Sequence, residues 1–273
     1  MTDAAVRWTR LVTRVQAPNA GPMTLDGTNS LVIGAPGGGG VVVVDPGPED
    51  AGHLRALHQF GPVELIVLTH HHHDHTEAAP RFATLTGAPV RAFDAALCLD
   101  APPLVDGERI EAAGTVVEVV ATPGHTADSV SLHLPADAAA ADPAASVTGS
   151  MLTGDTILGR GTTIIASPDG SLADYLASLD RLRGYGAIPA LPAHGAMLPD
   201  LAAVSRIYAA HRRTRLDEVR AALIALGKPA STDADLIAAV TDAVYGSVDP
   251  AVRFAAEASV RAQLVYLRDT PAP

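Results

Sequence analysis

The stretch LIVLTHHHHDH, Leu65–His75, decides how this chain is read. Leu65, Ile66, Val67 and Leu68 form a continuous apolar run, the pattern of a strand buried on both faces. Immediately after it come imidazoles at His70, His71, His72, His73 and His75 and a carboxylate at Asp74. A turn leaving a rigid strand aims closely spaced side chains at neighbouring points, and imidazole with carboxylate suits zinc, iron or manganese. A purification tag would sit at a terminus rather than between a core strand and a helix, and would lack the inserted Asp74.

Working outward, the same signature recurs. VVEVVATPGH (116–125) is a strand stopped by Pro123 and Gly124, with His125 just beyond. MLTGD (151–155) ends at Gly154-Asp155, and AIPALPAHG (187–195) ends at His194. A lone histidine after a strand is more often structural than a ligand. Four strand ends carrying His70, His72, Asp74, His75, His125, Asp155 and His194 point instead to one rim of an α/β sandwich, where sites form. A fifth strand, VVVV, runs into Asp45-Pro46-Gly47. Asp45 reads equally as a carboxylate orienting a metal-binding histidine or as a turn-initiating residue. His53, His58 and His133 read as packing or surface residues without a role.

The remaining segments set the frame. Val6–Val15 is expected as one edge strand, followed by the loop APNAGPMTLDGTN. SLVIG and VVVV flank APGGGG and predict a hairpin, whose glycines lack the Lys-Ser/Thr of a phosphate cradle. Residues 40–93 alternate strand and helix, so the layering is α/β. ADAAAADPAAS (136–146) reads as a flexible surface loop. SLADYLASLDRLRGYG predicts a helix capped by Ser171. From Leu201 the sequence turns all-helical: a long helix or a pair, a helix opened by Ser231 or Thr232, and a third with Pro250 at its start. Two units are expected, a catalytic domain over 1–199 and a small helical domain over 200–273.

Composition narrows the classes. The chain has 273 residues, 48% hydrophobic and only 4% aromatic, so its core must be built of Val, Leu, Ile and Ala. A net charge of -11 excludes a globally basic nucleic-acid binder but leaves room for a local groove. Arg206, His211, Arg212, Arg213, Arg215 and Arg220 form the one basic run, read either as such a groove or as a solvated face paired with Asp217 and Glu218. The single cysteine, Cys98, allows no intramolecular disulfide and reads as a buried thiol in a helical stretch. There is no apolar leader and no 18-residue apolar window, so a soluble cytoplasmic protein is expected.

His70, His72, Asp74 and His75 spell His-x-His-x-Asp-His. With TPGHT (122–126), TGD (153–155) and PAHG (192–195), in that order over residues 25–200, the chain resembles the metallo-β-lactamase superfamily. APNAGPMTLDGTNSLVIG, GDTILGRGTTIIASPDGSLADYLASL and YAAHRRTRLDEV look like its lactamase-beta-2-like branch. The resemblance implies an αββα sandwich with a small winged-helix-like helical tail, and two Zn2+ per chain on one rim, with Fe or Mn accepted by the same donors. His70, His72 and His125 would hold one metal, Asp74, His75 and His194 the second, and Asp155 would bridge them. The implied reaction is hydrolysis by a metal-bridging hydroxide attacking a carbonyl or phosphoryl centre, with Asp74 as the catalytic residue orienting the nucleophile. Three readings follow: an endoribonuclease on single-stranded RNA, a thioester or small-ester hydrolase of the glyoxalase II type, and a metal-loaded binding protein without turnover. His71 and His73, at alternate loop positions, are expected to point away or to gate the cleft. Secreted β-lactamases carry signal peptides, and flavodiiron oxygen reducers put a Glu where this chain has His72. Substrate-binding residues and oligomeric state are not readable from the sequence.

Overall fold

A computed structural model describes residues 5–138, 149–246 and 252–270. Most of the 136–146 linker and Pro250 lie outside the described residues. The valine-rich runs form two sheets. The first contains β1 (Ala5–Arg7), β2 (Val12–Gln16), β3 (Asn29–Ile33), β4 (Val41–Val44), β5 (Val63–Val67) and β6 (Val90–Arg91), side by side in that order. The second contains β7 (Arg109–Ala112), β8 (Thr115–Ala121), β9 (Val130–Leu134), β10 (Ser150–Gly154) and β11 (Ala190–Pro192), again in sequence order. Pairing is antiparallel except for β4–β5, β5–β6 and β10–β11.

The continuous apolar runs have a simple cause. β4 and β5 lie between two layers, so successive residues feed different cores. Val42, Val44, Leu65 and Val67 meet Val119, Leu132 and Leu152 of the second sheet. Val41, Val43, Val63 and Ile66 pack under α1 (Ala51–His58) and α3 (Ala79–Thr86), whose Leu54, Leu57 and Phe82 are buried there. Between those helices, α2 (His73–Thr76) is a single turn. On the other side α4 (Leu172–Arg183) and the first half of α5 (Leu201–Leu226) cover the second sheet through Leu172, Tyr175, Leu179, Leu201 and Tyr208. The expected αββα sandwich is present. The distal half of α5 packs with α6 (Ala234–Tyr245) and α7 (Arg253–Asp269) around Val219, Leu223, Ile237, Val240 and Leu264. The described part of residues 200–273 is helical. No helix among the described residues is long and apolar enough to cross a membrane.

Three local expectations are corrected. Val6–Val15 is a hairpin, not one strand: Ala5 pairs with Val15, and the chain reverses where Trp8 and Thr9 donate to the Val12 carbonyl. α6 is capped by Asp233 rather than Ser231 or Thr232, its carboxylate accepting from the amides of Asp235 and Leu236. Cys98 is only partly buried and ends a 3-10 turn (Ala95–Leu97) rather than sitting in an α-helix. Other boundaries agree, including Gly87 as the left-handed stop of α3 and Ser171 as the cap of α4.

Candidate metal centre

Every ligand-type residue singled out above sits just past the C-terminal end of a strand. His70–His75 follow β5, His125 follows β8, Asp155 follows β10 and His194 follows β11. Gly124 makes one of these exits feasible. Its φ is +135°, and a Cβ there would stand 2.4 Å from the Tyr175 backbone, so only glycine lets the His125 turn pass against α4. The two sheets meet at this rim, where Thr28 bridges His194 and the Asn29 side chain donates to the carbonyls of Pro192 and Gly195.

Two groups of donor atoms result at the cavity, beside a more exposed third of His71, His72 and Asp169. In the first, His70 Nε2 and His125 Nε2 each lie 3.0 Å from His72 Nδ1, with Asp155 in the same cluster. In the second, Asp74 Oδ2 lies 3.3 Å from His75 Nε2 and 3.2 Å from His194 Nε2. Asp155 faces both, with Oδ2 3.7 Å from His125 Nε2 and Oδ1 3.4 Å from His194 Nε2.

Partners behind the rings set which nitrogen is free. His125 Nδ1 lies 2.7 Å from the Ile164 carbonyl, which can only accept, so the proton is on Nδ1 and the Nε2 lone pair points inward. Thr69 gives its hydroxyl proton to Asp45 and therefore accepts from His70 Nδ1, leaving His70 Nε2 free. His75 Nδ1 donates to Asp45 Oδ2 at 2.8 Å. Asp45, whose two roles the sequence left open, thus orients His75 directly and His70 through Thr69. Its φ of +52°, uncommon for a non-glycine residue, aims the carboxylate there.

The donor chemistry fits cations. His72 Nδ1 faces two nitrogen lone pairs and, as a donor, could satisfy only one. His75 Nε2 and Asp155 Oδ1 are buried without a hydrogen bond. Burial, reinforced by His75, drives the His70 imidazole well below its ordinary pKa, and burial with nearby His125 takes His72 down to about 4. Burial lowers His125 as well. The second group behaves oppositely. Burial opposes charge on His75, yet Asp45, Asp155 and Asp74 raise it well above its usual value; Asp155 likewise overcomes burial to bring His194 up to about 9. Burial also works against ionisation of Asp74 and Asp155, but His75 and His194 hold both carboxyls far below the usual range. One group therefore offers neutral imidazoles, while the other holds protons that a cation would displace.

The centre opens into a cavity of about 370 Å³, lined by Pro22, Met23, Leu25, Leu158 and Ile164 on its apolar side and by Arg160 at its mouth. Arg160 forms a two-pronged pair with Asp26. His71 and His73 part company: His71 is outside the cavity lining and pairs with Asp128 at 2.8 Å, whereas exposed His73 lines the cavity and lies 3.4 Å from Glu77. His53 is buried and bonded to Ser30. Three contributors carried no sequence signal: Thr28, which donates to Asp74 Oδ2 at 2.9 Å; Thr163, whose hydroxyl sits 2.9 Å from His125 Nδ1; and Asn19, which holds Thr28. Thr69 could have been found, since it immediately precedes the histidine run. The basic run makes no continuous groove. Arg212 is buried, Arg215 pairs with Glu218 and Arg220 pairs with Asp217.

The Metallo-beta-lactamase superfamily matches over residues 23–140. The Lactamase-like protein vrtG of Penicillium aethiopicum is 32% identical over 249 residues, covering 87% of this chain and 74% of that protein. The Beta-lactamase-like protein 2 homolog of Caenorhabditis elegans is 30% identical over 269 residues, covering 94% and 83%. The Atrochrysone carboxyl ACP thioesterase nsrC of Aspergillus novofumigatus is 32% identical over 196 residues, covering 70% and 56%. Two solved structures share the fold. One is a metallo-beta-lactamase family protein from Thermus thermophilus, with TM-score 0.71, 23% identity and coverage of 94% and 93%. The other is a Beta-lactamase domain protein from Burkholderia ambifaria, with TM-score 0.75, 19% identity and coverage of 99% and 91%. With the strand-end centre and the sandwich around it, these similarities establish that the chain belongs to the metallo-β-lactamase superfamily, a family of hydrolases.

Proposed function

We propose that the chain is a binuclear metal-dependent hydrolase of small acyl thioesters or esters. The observation that carries this is the placement of Asp155, one carboxylate oxygen toward each donor group at the floor of the cavity. His70, His72 and His125 would hold one metal, Asp74, His75 and His194 the other, and Asp155 would serve both. Zinc suits these donors, and iron or manganese is accepted by the same set. Bound there, the metals would acidify a water and polarise the scissile carbonyl.

The chain's own groups do the rest. Asp74 stays ionised, is fixed by Thr28, and reaches the cavity, where its carboxylate accepts a hydrogen bond from the attacking water and aims it. The wall of Pro22, Met23, Leu25 and Leu158 takes an apolar acyl portion and excludes bulk water. Residues 1–199 supply these groups, with 200–273 as a helical support. A thioester also agrees with the relative named as a thioesterase. An RNA strand would need a track of free cations, and three of the run's five arginines spend their charge on Glu218, Asp217 or the interior, leaving Arg206 and Arg213 exposed.

The test is to count metals in untagged protein and assay acyl thioesters, acyl esters and an unstructured RNA with and without chelator. Two metals and chelator-sensitive acyl hydrolysis are expected. RNA cleavage alone would replace the acyl reading with the nuclease one, and metal without either activity would leave a binding protein.

A further inference from the structure

Arg212 lies in the middle of α5 and is buried. Its helix neighbours Arg215 and Arg220 pair with Glu218 and Asp217, but Arg212 makes no ion pair among the described residues, and its Nε has no partner. A buried cation without a counter-charge is costly, and it persists only where fixed dipoles and other contacts compensate. Two such contacts are present. The guanidinium donates through Nη2 to the Thr163 carbonyl and lies 5.2 Å from the centroid of the Tyr175 ring.

What the guanidinium grips is the segment behind His125. The Thr163 hydroxyl and the Ile164 carbonyl stand 2.9 and 2.7 Å from His125 Nδ1. Neighbouring α-helical side chains hold the same loop nearer Asp155: Tyr175 donates its hydroxyl to the Thr156 carbonyl at 2.7 Å and Tyr208 to the Leu158 carbonyl at 2.9 Å. Those two are neutral hydroxyls. Only at Thr163, next to the group that locks a ring nitrogen, does the helix spend a charge.

We propose that Arg212 is a positioning residue: through Thr163 and Ile164 it fixes the His125 ring in the tautomer that presents Nε2 to the metal centre. The consequence for metal affinity rests on the metal-site reading above, whereas the consequence for the tautomer does not. The C-terminal helices thereby become part of the site's machinery.

The experiment uses full-length 15N-labelled protein stripped of metal at neutral pH, reading the ring nitrogens of His125, assigned by comparison with His125→Gln. The wild type is expected to show one tautomer, protonated at Nδ1. Arg212→Met should give a tautomer mixture and weaken zinc binding about 10- to 100-fold in chelator competition. Arg212→Lys, which restores a donor and a charge, should recover part of both. Thr163→Val should weaken zinc binding in the same direction, and adding it to Arg212→Lys should cost less than the two separate losses combined. If Arg212→Met does not fold, Arg212→Lys and Thr163→Val carry the test. A folded Arg212→Met with a single Nδ1-protonated tautomer and unchanged zinc affinity overturns the proposal. If the wild type binds no zinc, the metal reading fails and the tautomer alone decides.

Discussion

At the scale of single residues, Asp155 is the most consequential side chain on the rim, because it sits in the first donor group and also faces the second. Its replacement should be felt twice. Asp155→Ala is expected to leave at most one metal per chain and to lower acyl hydrolysis by about a hundredfold or more, since ligand-orienting groups alone are worth 10- to 100-fold. Metal analysis and kcat on one preparation check this; two retained metals with full turnover would remove Asp155 from the site. The seven ligand-type residues were legible in the sequence because imidazoles and carboxylates at broken strand ends are uncommon and come in a fixed order. Thr28 was not legible. It reaches Asp74 across 46 positions, and a threonine in a Gly/Pro loop looks the same whether or not it does so. Arg212 was read with its surface neighbours for a similar reason: spacing along a 26-residue helix does not reveal which arginine turns inward.

At the scale of elements, α1 is tied to the first sheet by more than Leu54 and Leu57. His53 is buried, and its Nε2 donates to Ser30 on β3, whose hydroxyl is committed to the Asp45 carbonyl. Burial, against a weaker pull from Asp50, pushes the His53 imidazole down to about 4. The unfolded chain, with a histidine near 6.5, therefore takes up the proton first. The stabilisation is complete above pH 6.5 and is lost as pH falls toward 4, a change of about 3 kcal/mol at 1.36 kcal/mol per pH unit. Urea unfolding of the chelated protein at pH 7 and pH 4.5 should show the wild type losing stability relative to His53→Gln as the solution is acidified; a constant difference between the two would contradict it. Periodicity predicted α1, α3 and α4 well because each buries a regular stripe. It merged β1 and β2 because the reversal at Trp8–Leu11 contains no glycine or proline, and it misplaced the α6 cap because Ser231, Thr232 and Asp233 are all competent and only the backbone's exit direction selects the last.

At the scale of the whole molecule, α5 belongs to two cores at once. Its N-terminal part, as far as Leu216, closes the α4 layer through Leu201, Tyr208 and Leu216, and the rest closes the α6–α7 layer through Val219 and Leu223. A chain cut after residue 199 would expose Leu172, Tyr175, Leu179 and Leu182, and is expected to be insoluble or to lack near-UV ellipticity, whereas the full chain is expected to unfold cooperatively. A soluble, sharply unfolding 1–199 fragment would show that the sandwich stands alone. The change of composition near Leu201 was visible in the sequence; the sharing of α5 between layers was not, because an amphipathic pattern records that a face is covered without naming what covers it. The sheets, finally, contribute to the rim unequally: His70, His72, Asp74 and His75 come from the first, and His125, Asp155 and His194 from the second. An ion held there works as a rivet between two plates. Free metal at a hundred times its dissociation constant would add about 2.7 kcal/mol per site to the folded state. The heat tolerance of this protein should then rise with the free-metal level around it, so that its melting temperature reports on the metal supply as directly as its catalysis does.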